Sequence, residues 1–265
     1  MENKNASALK SSFKTEGFSF EYLESELDAT VLWESHCHSQ YEMIAVSEGR
    51  ISIMIEGRSY SLRANEVAII PPLYYHTLTA DKKGVYKRVT VLFDRASIPE
   101  VLWEHFEAQG LAELIFSSNQ VSELRRVCCS DKTALYAPLA ESLMIGMMYE
   151  RIDSGASDNE TEVDELLNRI ISYIDEHLCE RLCLDDIAAH TARSKSSVCH
   201  LFREKMRISP KQYVLQKRLA LAEKLIRDGT PPTVAAIQVG YENYSDFYRM
   251  YTKHIRRAPS NDKAR

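Results

Sequence analysis

The chain has 265 residues, of which 45% are hydrophobic, and a formal net charge of -5 at pH 7. That length suits two domains, and that apolar content excludes a disordered polyelectrolyte. No apolar run reaches the roughly 20 residues of a membrane-crossing helix, and the polar stretch from Met1 to Lys14 lacks the core of a secretion signal, so a cytoplasmic protein without a membrane partner is expected.

Charge is unevenly divided. Residues 1–162 hold 15 Lys/Arg against 25 Asp/Glu, a net of -10, whereas residues 163–265 hold 18 against 13, a net of +5. A basic module tied to an acidic one is compatible with nucleic-acid binding by the second part alone. The cysteines, Cys37, Cys128, Cys129, Cys179, Cys183 and Cys199, fall at irregular spacings and read as reduced thiols.

From Phe18 to Phe93 the pattern is short, β-rich and punctuated by turns. Ile51, Ile53 and Ile55 alternate with Ser52, Met54 and Glu56, Gly57-Arg58 turns the chain, and Val67 to Ile70 runs into Pro71-Pro72. Many short strands in so few residues predict a sandwich or small barrel. Beyond Pro99 the period changes: Val101 to Phe106, Leu111 to Phe116, Val121 to Val127 and Ala134 to Ile152 are predicted helical. In the last of these Leu135, Leu139, Leu143 and Met147 form an i,i+4 stripe, suited to packing on its own domain or to a dimer interface.

A polar linker follows, and the remainder reads as helices. Thr161 or Asp164 caps a helix to about Leu178, and Asp185 to His190 and Arg193 to Met206 form a pair. Ser209-Pro210 opens a longer helix that Gly229 and Pro231-Pro232 stop; Thr233 to Val239 and Tyr244 to His254 then repeat the pair. The two pairs form an internal repeat, with Ala188 and Ala236 at the centres of the first helices and Val198 to Phe202 matching Phe247 to Tyr251 in the second. A small residue in one helix lets the next cross closely, which is how a helix-turn-helix packs. Two such units on an apolar-striped helix (Tyr213, Leu219, Ala222, Leu225, Ile226) can enter successive major-groove segments.

The stretch from about Asp164 to Pro259 resembles the DNA-binding domain of the arabinose-regulator (AraC/XylS) family. The resemblance lies in Ala236-Ile-Gln-Val-Gly-Tyr241, Phe247-Tyr-Arg249, Ile187-Ala188, Leu201-Phe202-Arg203 and Ser209-Pro210-Lys-Gln-Tyr213. His200 stands where the family usually has Arg, and Arg207 and Arg256 replace its post-helix glycines. Its closing element has decayed to Ala258-Pro-Ser-Asn-Asp262, so no well-ordered final helix is expected. Base-facing candidates are Arg193, Ser194, Lys195, Ser197 and His200 in the first unit, with Glu242, Asn243, Tyr244, Ser245, Asp246 and Arg249 in the second. Arginine and lysine donors can read guanine edges, and Asn243 can pair with adenine or cap its helix. Arg203, Lys205, Arg207, Lys253, Arg256 and Arg257 are candidates for phosphates. The second unit is less basic at its tip, which points to the first as the main reader.

In the first half, His36-Cys-His38-Ser-Gln-Tyr-Glu42 precedes Gly49, and His76 follows Pro71. The pattern resembles the cupin fold, whose metal-binding members carry His-x-His-x3-Glu-x6-Gly and later Pro-x-Gly-x2-His. Here Leu73 takes the place of that last glycine. Histidines 36, 38 and 76 with Glu42 make a donor set for Zn, Fe or Mn. Sensor domains of the regulator family often keep these residues without metal, so no cofactor is expected on that ground. With Tyr41, Arg50, Tyr74 and Tyr75 the same residues can line a pocket for a small polar effector, for instance a sugar or related metabolite.

The expected architecture is multidomain. An all-β cupin-like N-terminal barrel with a helical appendage covers residues 1–152 (helical part 100–152), for sensing and dimerisation. Residues 153–162 link it to an all-α C-terminal domain, residues 163–265, with two helix-turn-helix units joined by a linker helix. The resemblance implies a non-enzymatic, sequence-specific regulator of transcription: an activator that binds double-stranded promoter DNA, forms a homodimer, answers a small-molecule effector and works through RNA polymerase. Two other readings stay open: a constitutive regulator whose β-domain only dimerises or binds a partner protein, and a metal-dependent cupin enzyme with a DNA-binding tail. No catalytic residue is identified.

Overall fold

Period-2 alternation of apolar side chains builds the first half. The computed structural model describes residues 8–27, 31–33, 35–80, 84–108, 114–154 and 164–262. Strands β1 (Ala8–Lys14), β2 (Phe18–Leu27), β3 (Val31–Leu32), β4 (Tyr41–Glu48), β5 (Arg50–Ile55), β6 (Arg58–Arg63), β7 (Glu66–Ile70), β8 (His76–Ala80) and β9 (Gly84–Phe93) precede helix α1 (Glu100–Ala108) and strand β10 (Leu114–Ser117). They form two antiparallel sheets, ordered β1-β2-β9-β4-β7-β10 and β3-β8-β5-β6. Along β4 the alternation is clear: Ile44 and Val46 join Ile51, Ile53, Leu62 and Leu78 between the sheets, while Met43 and Ala45 face the other way.

That outer face is not left to water. Helix α1 and helices α2 (Val121–Cys128) and α3 (Thr133–Ser154) cover it through Leu102, Phe106, Leu124, Met144 and Met147. The larger sheet is therefore buried on both sides, which explains the unbroken buried run from Glu42 to Val46.

Two expectations need correction. The predicted helix at Leu111 to Phe116 is in part strand β10, which pairs Leu114 with Ile69 and Phe116 with Val67; residues 109–113 lie outside the described residues. Ile115 packs between the sheets and Phe116 on the outer face, so a strand satisfies both side chains at an open sheet edge. On α3, the stripe expected to pack is buried only towards its C-terminal end: Met147 is buried but Leu135 is 72% exposed. An i,i+4 series drifts about 40° around the helix at each step, so it leaves the contact face within a few turns. Ala137, Ala140, Met144, Met147 and Met148 form the buried face instead.

The linker positions 155–163, Thr161 among them, lie outside the described residues. Beyond them run α4 (Glu165–Glu176), α5 (Leu184–Thr191), α6 (Lys195–Met206), α7 (Pro210–Arg227), α8 (Pro232–Gln238) and α9 (Tyr244–Ile255). Caps set their ends. Asp164, Ser194, Ser209 and Asn243 each accept a backbone N–H of the following first turn, and Ser209 with Gln212 completes a reciprocal capping box. Phe202, Met206 and Tyr213 close the first unit around α4 and α5; Phe247, Tyr251 and Ile226 close the second. The described residues close with a short 3-10 helix at Pro259–Asp262, where the decayed closing element led us to expect no well-ordered helix.

Candidate functional site

In the first helix-turn-helix unit the turn passes through Ala192, held in the left-handed region at φ 53°, and leaves Arg193, Ser194, Lys195 and Ser197 exposed at the start of α6. Ser194 is committed to capping through Ser197 N–H (3.1 Å). Lys195 reaches back to Asp185 at 2.8 Å, an exposed pair that DNA can displace at little cost. His200, 81% exposed, lies 3.6 Å from Glu204 one turn on, and Arg203 continues the exposed face.

The second unit uses its polar tip locally. Asn243, for which the sequence left two roles open, caps α9 by accepting the Asp246 N–H at 2.8 Å, and its amide donates to the Asp246 carboxylate. Asp246 also holds Arg249, at 2.8 Å. Glu242, Tyr244, Ser245 and Lys253 are exposed. Arg207 and Arg256, which replace family glycines, sit in the left-handed conformation at the ends of α6 and α9, with φ of 62° and 66°. Of the other phosphate candidates, Lys205 lies 3.8 Å from Asp164 and Arg257 is tied to Glu223.

One arginine fixes the two units relative to each other. Arg218 of α7 donates to the carbonyls of Leu178 (2.7 Å) and Glu180 behind α4, and to Gly240 (3.4 Å) behind α8. Gly240 has φ 86°, and a β-carbon there would lie 2.7 Å from the Cys179 carbonyl oxygen. The position therefore needs glycine on two counts. Between the units a cleft of about 580 Å³ is lined by Arg203, Lys211, Arg218 and Tyr241 among others.

In the β-domain, backbone pairing assembles the histidines. His36 and His76 exchange N–H···O bonds of 3.1 and 2.9 Å across an isolated bridge, which puts both side chains on one face. His38 joins them by period-2 spacing, and Glu42 faces in from β4. The ligand atoms of His36, His38, Glu42 and His76 all lie within 4.8 Å of one another. Leu73, where the cupin pattern has glycine, adopts φ 68° and donates its N–H to the His38 carbonyl at 2.8 Å. The left-handed turn is kept although the glycine is gone, at a strain of about 1–2 kcal/mol.

The hydrogen bonds test whether a cation fits. Nδ1 of His38 faces the Gln40 carbonyl and Nδ1 of His76 the Tyr74 carbonyl, each at 2.9 Å. A carbonyl only accepts, so both Nδ1 atoms carry hydrogen and both Nε2 atoms are lone-pair sites in neutral imidazole. Those Nε2 atoms lie 2.8 and 2.9 Å from one Glu42 oxygen. His76 Nε2 is buried there without an aligned hydrogen bond. Two protons or one divalent cation relieve this arrangement, and carbonyl-anchored Nδ1 atoms are the usual support of a metal-binding histidine. In the protonated form, burial opposes the charge on His76, but Glu42 outweighs it and raises the imidazole above its ordinary value. Burial likewise opposes ionised Glu42, and the two histidines hold its carboxyl well below the ordinary range.

Other predicted effector residues lie elsewhere. Tyr41 stacks on Trp103 and Phe93 on the outer face, at 4.5 and 5.5 Å. Alternation along β4 turns it away from its neighbour Glu42. Arg50 is exposed and donates to Ser61. Tyr74 lines a crevice of about 250 Å³ together with Glu56, Asn168 and Asp175 of the two domains, and Tyr75 packs edge-on against Tyr213 at 5.5 Å. Sequence reasoning missed Trp33, Tyr86, Arg88 and Thr90, which carry buried polar atoms lacking a hydrogen-bond partner among the described residues. Tyr86, Arg88 and Thr90 share one face of β9, and that alternation was the available signal.

The segments that supply the imidazoles also seat the helical domain. Between His36 and His38, Cys37 packs against the α4–α7 core. One residue on, Ser39 donates to Glu223 at 2.7 Å and its carbonyl accepts from Arg227 at 2.9 Å. Beside His76, the Tyr75 N–H donates to Glu56 at 2.7 Å. Glu56 then meets Lys217 of α7 at 3.0 Å, and Lys217 meets Asp175 at 2.8 Å and the Tyr213 hydroxyl at 3.0 Å. Lys217 is 4% exposed; burial opposes its charge, yet the two carboxylates hold the ammonium above the ordinary lysine range. Gly57, at φ 79°, lets the β5–β6 turn approach α4 so closely that a β-carbon would lie 2.6 Å from Leu167.

Comparison with known proteins agrees with this architecture. Residues 17–142 match an AraC-like ligand binding domain, and residues 187–265 match a helix-turn-helix domain. YdiP, an HTH-type transcriptional regulator of Escherichia coli (strain K12), is 25% identical over 246 residues, 86% of this chain and 81% of its own. The HTH-type transcriptional activator RhaS of Klebsiella pneumoniae (strain 342) is 20% identical over 255 residues, 92% of this chain and 91% of its own. Among solved structures, fatty acid-bound ToxT from Vibrio cholerae strain SCE256 is 12% identical and overlaps loosely, with a TM-score of 0.44 over 94% of this chain and 95% of its own. No helix among the described residues is long and apolar enough to cross a membrane. The chain belongs to the AraC family of transcriptional regulators, with a ligand-binding β-domain followed by a helix-turn-helix DNA-binding domain.

Proposed function

We propose that the chain is an effector-responsive activator of transcription that reads a promoter mainly through α6. The observation that carries this reading is the contrast between the two tips: at the start of α6, Arg193 and Lys195 present two exposed cations, of which Lys195 makes one exposed pair with Asp185, whereas at the start of α9 Asn243, Asp246 and Arg249 are bound to one another and the tip offers a single cation. Arg193 and Lys195 read base edges, Ser197 and His200 extend that face, and Arg203 and Lys253 hold phosphates. The sign of regulation follows the relative RhaS, which is an activator. Action as a homodimer and through RNA polymerase completes the reading.

The effector binds between the sheets of the β-domain. His36, His38, Glu42 and His76 would hold a divalent cation such as Zn, Fe or Mn, whose positive charge replaces the protons the cluster otherwise needs. Occupancy is relayed to DNA through residues 36–39 and 74–76, whose alternate side chains face the cluster and α7. Any ligand that shifts these segments changes how α7, and with it both reading helices, is seated.

Selection of bound duplexes from a random pool, before and after dialysis against a chelator, tests both halves. The expected result is an enriched motif whose affinity changes when metal is removed. Failure to enrich any motif above non-specific DNA contradicts the reading of α6. A motif indifferent to chelation contradicts the metal, and leaves a purely organic effector.

A further inference from the structure

Arg88 is 9% exposed in β9, opposite Val46 of β4 and Leu23 of β2. Its guanidinium lies over the Trp33 ring at 5.5 Å and the Tyr86 ring at 5.9 Å, and the two rings are 5.8 Å apart. Among the described residues its Nε and Nη1 have no hydrogen-bond partner, and neither do Trp33 Nε1 or, further along the same face as Tyr86, Thr90 Oγ1; the Tyr86 hydroxyl lies close enough to interact with the guanidinium, but without a hydrogen bond of good geometry. A guanidinium cannot shed its charge, and a buried polar group without a partner is disfavoured by kilocalories per mole. Cation–π contact offsets only part of that. Donors of this number converging on one wall of the barrel describe the complement of an anion.

We propose that Arg88, Trp33 and Tyr86 form a buried pocket for the carboxylate of a small organic effector. This rests on the reading of the β-domain as the effector domain and names the class of molecule it takes. Arg88 supplies charge-assisted hydrogen bonds, the indole N–H and phenol O–H supply neutral ones, and Thr90 meets a polar group on the body of the effector. A monoanion fits better than a dianion. One buried cation neutralises a single charge, and the walls here are apolar, including Ile44, Leu78 and Ala80. The carboxylate site and the histidine cluster share the space between the sheets, so both can act on one ligand or in concert.

The test uses the full chain and simple probes at constant ionic strength: acetate, lactate and benzoate against inorganic phosphate and a neutral pentose. Thermal unfolding and calorimetric titration are read for the wild type, Arg88→Met and Tyr86→Phe. At least one carboxylate is expected to raise Tm saturably, with phosphate and the pentose silent. Tyr86→Phe weakens that carboxylate about 5–10-fold, the share of one hydrogen bond. Arg88→Met abolishes the response, and its ligand-free Tm equals or exceeds that of the wild type, because an unpaired buried charge has been replaced by an apolar chain. A lower ligand-free Tm in Arg88→Met marks a structural arginine and overturns the proposal. So does a carboxylate response that survives Arg88→Met, a response confined to phosphate or the pentose, or no response to any carboxylate. Binding of the selected duplex by the same preparation separates the two failures: it persists if only the carboxylate pocket is wrong and is absent if the regulator reading is wrong.

Discussion

The interior of the β-domain and the tips of the reading helices handle polar groups in opposite ways. In the barrel, Arg88, Trp33, Tyr86 and His76 are buried with polar atoms that find no hydrogen-bond partner among the described residues. On α6 and α9, the polar residues are exposed and capped or lightly paired at the surface. The first arrangement stores binding as unfavourable desolvation that a ligand relieves; the second leaves charge in water, where it costs the fold almost nothing. Substitutions should therefore move stability and ligand response in the barrel and DNA affinity in the reader. The seat between them should move both.

The seat carries the largest expected effect. Lys217→Ala leaves Glu56, 13% exposed, without its cation beside the more exposed Asp175, and stranding such a partly buried charge costs about 1–3 kcal/mol. Chemical denaturation should show that loss, with DNA affinity altered as well. An unchanged midpoint would show that the domains do not depend on this contact. His76→Ala comes next. It removes a buried donor from the cluster and strands Glu42, so metal retained through gel filtration, read by elemental analysis, should fall by at least 10-fold. Equal retention in wild type and variant would remove the metal from the account. The smallest effect is expected at Arg249. It is 74% exposed and already tied to Asp246, so Arg249→Ala should leave Tm unchanged and weaken DNA binding by less than about 1 kcal/mol. A larger loss would make the second unit an equal reader.

Much of the helical domain was legible because its signals are local. Ser209-Pro210 and Asn243 act over a single turn, so their spacing along the chain is their spacing in space. The histidine cluster was legible for the same reason, since His36, His38 and Glu42 lie within seven residues of one another. Strand β10 was misread because a short apolar run of four residues has no periodicity of its own, and the β7 edge decides its state. Tyr41 was grouped with Glu42 by proximity in sequence, although strand alternation sends neighbours to opposite faces. The alternation along β9 hinted at the face Arg88 occupies, but the isolation of its charge and the seat were not legible. Glu56 and Lys217 are 161 positions apart, and the isolation of Arg88 depends on what other strands do not place beside it.

The most direct test of the central claim is equilibrium binding of the selected promoter duplex by the wild type and by Arg193→Ala/Lys195→Ala, at two salt concentrations. The account predicts that the variant unfolds at the wild-type temperature, keeps salt-dependent non-specific binding, and loses 10-fold or more of its preference for the selected sequence, since each base-reading side chain is worth about 1–3 kcal/mol. A variant that discriminates sequences as well as the wild type would contradict it.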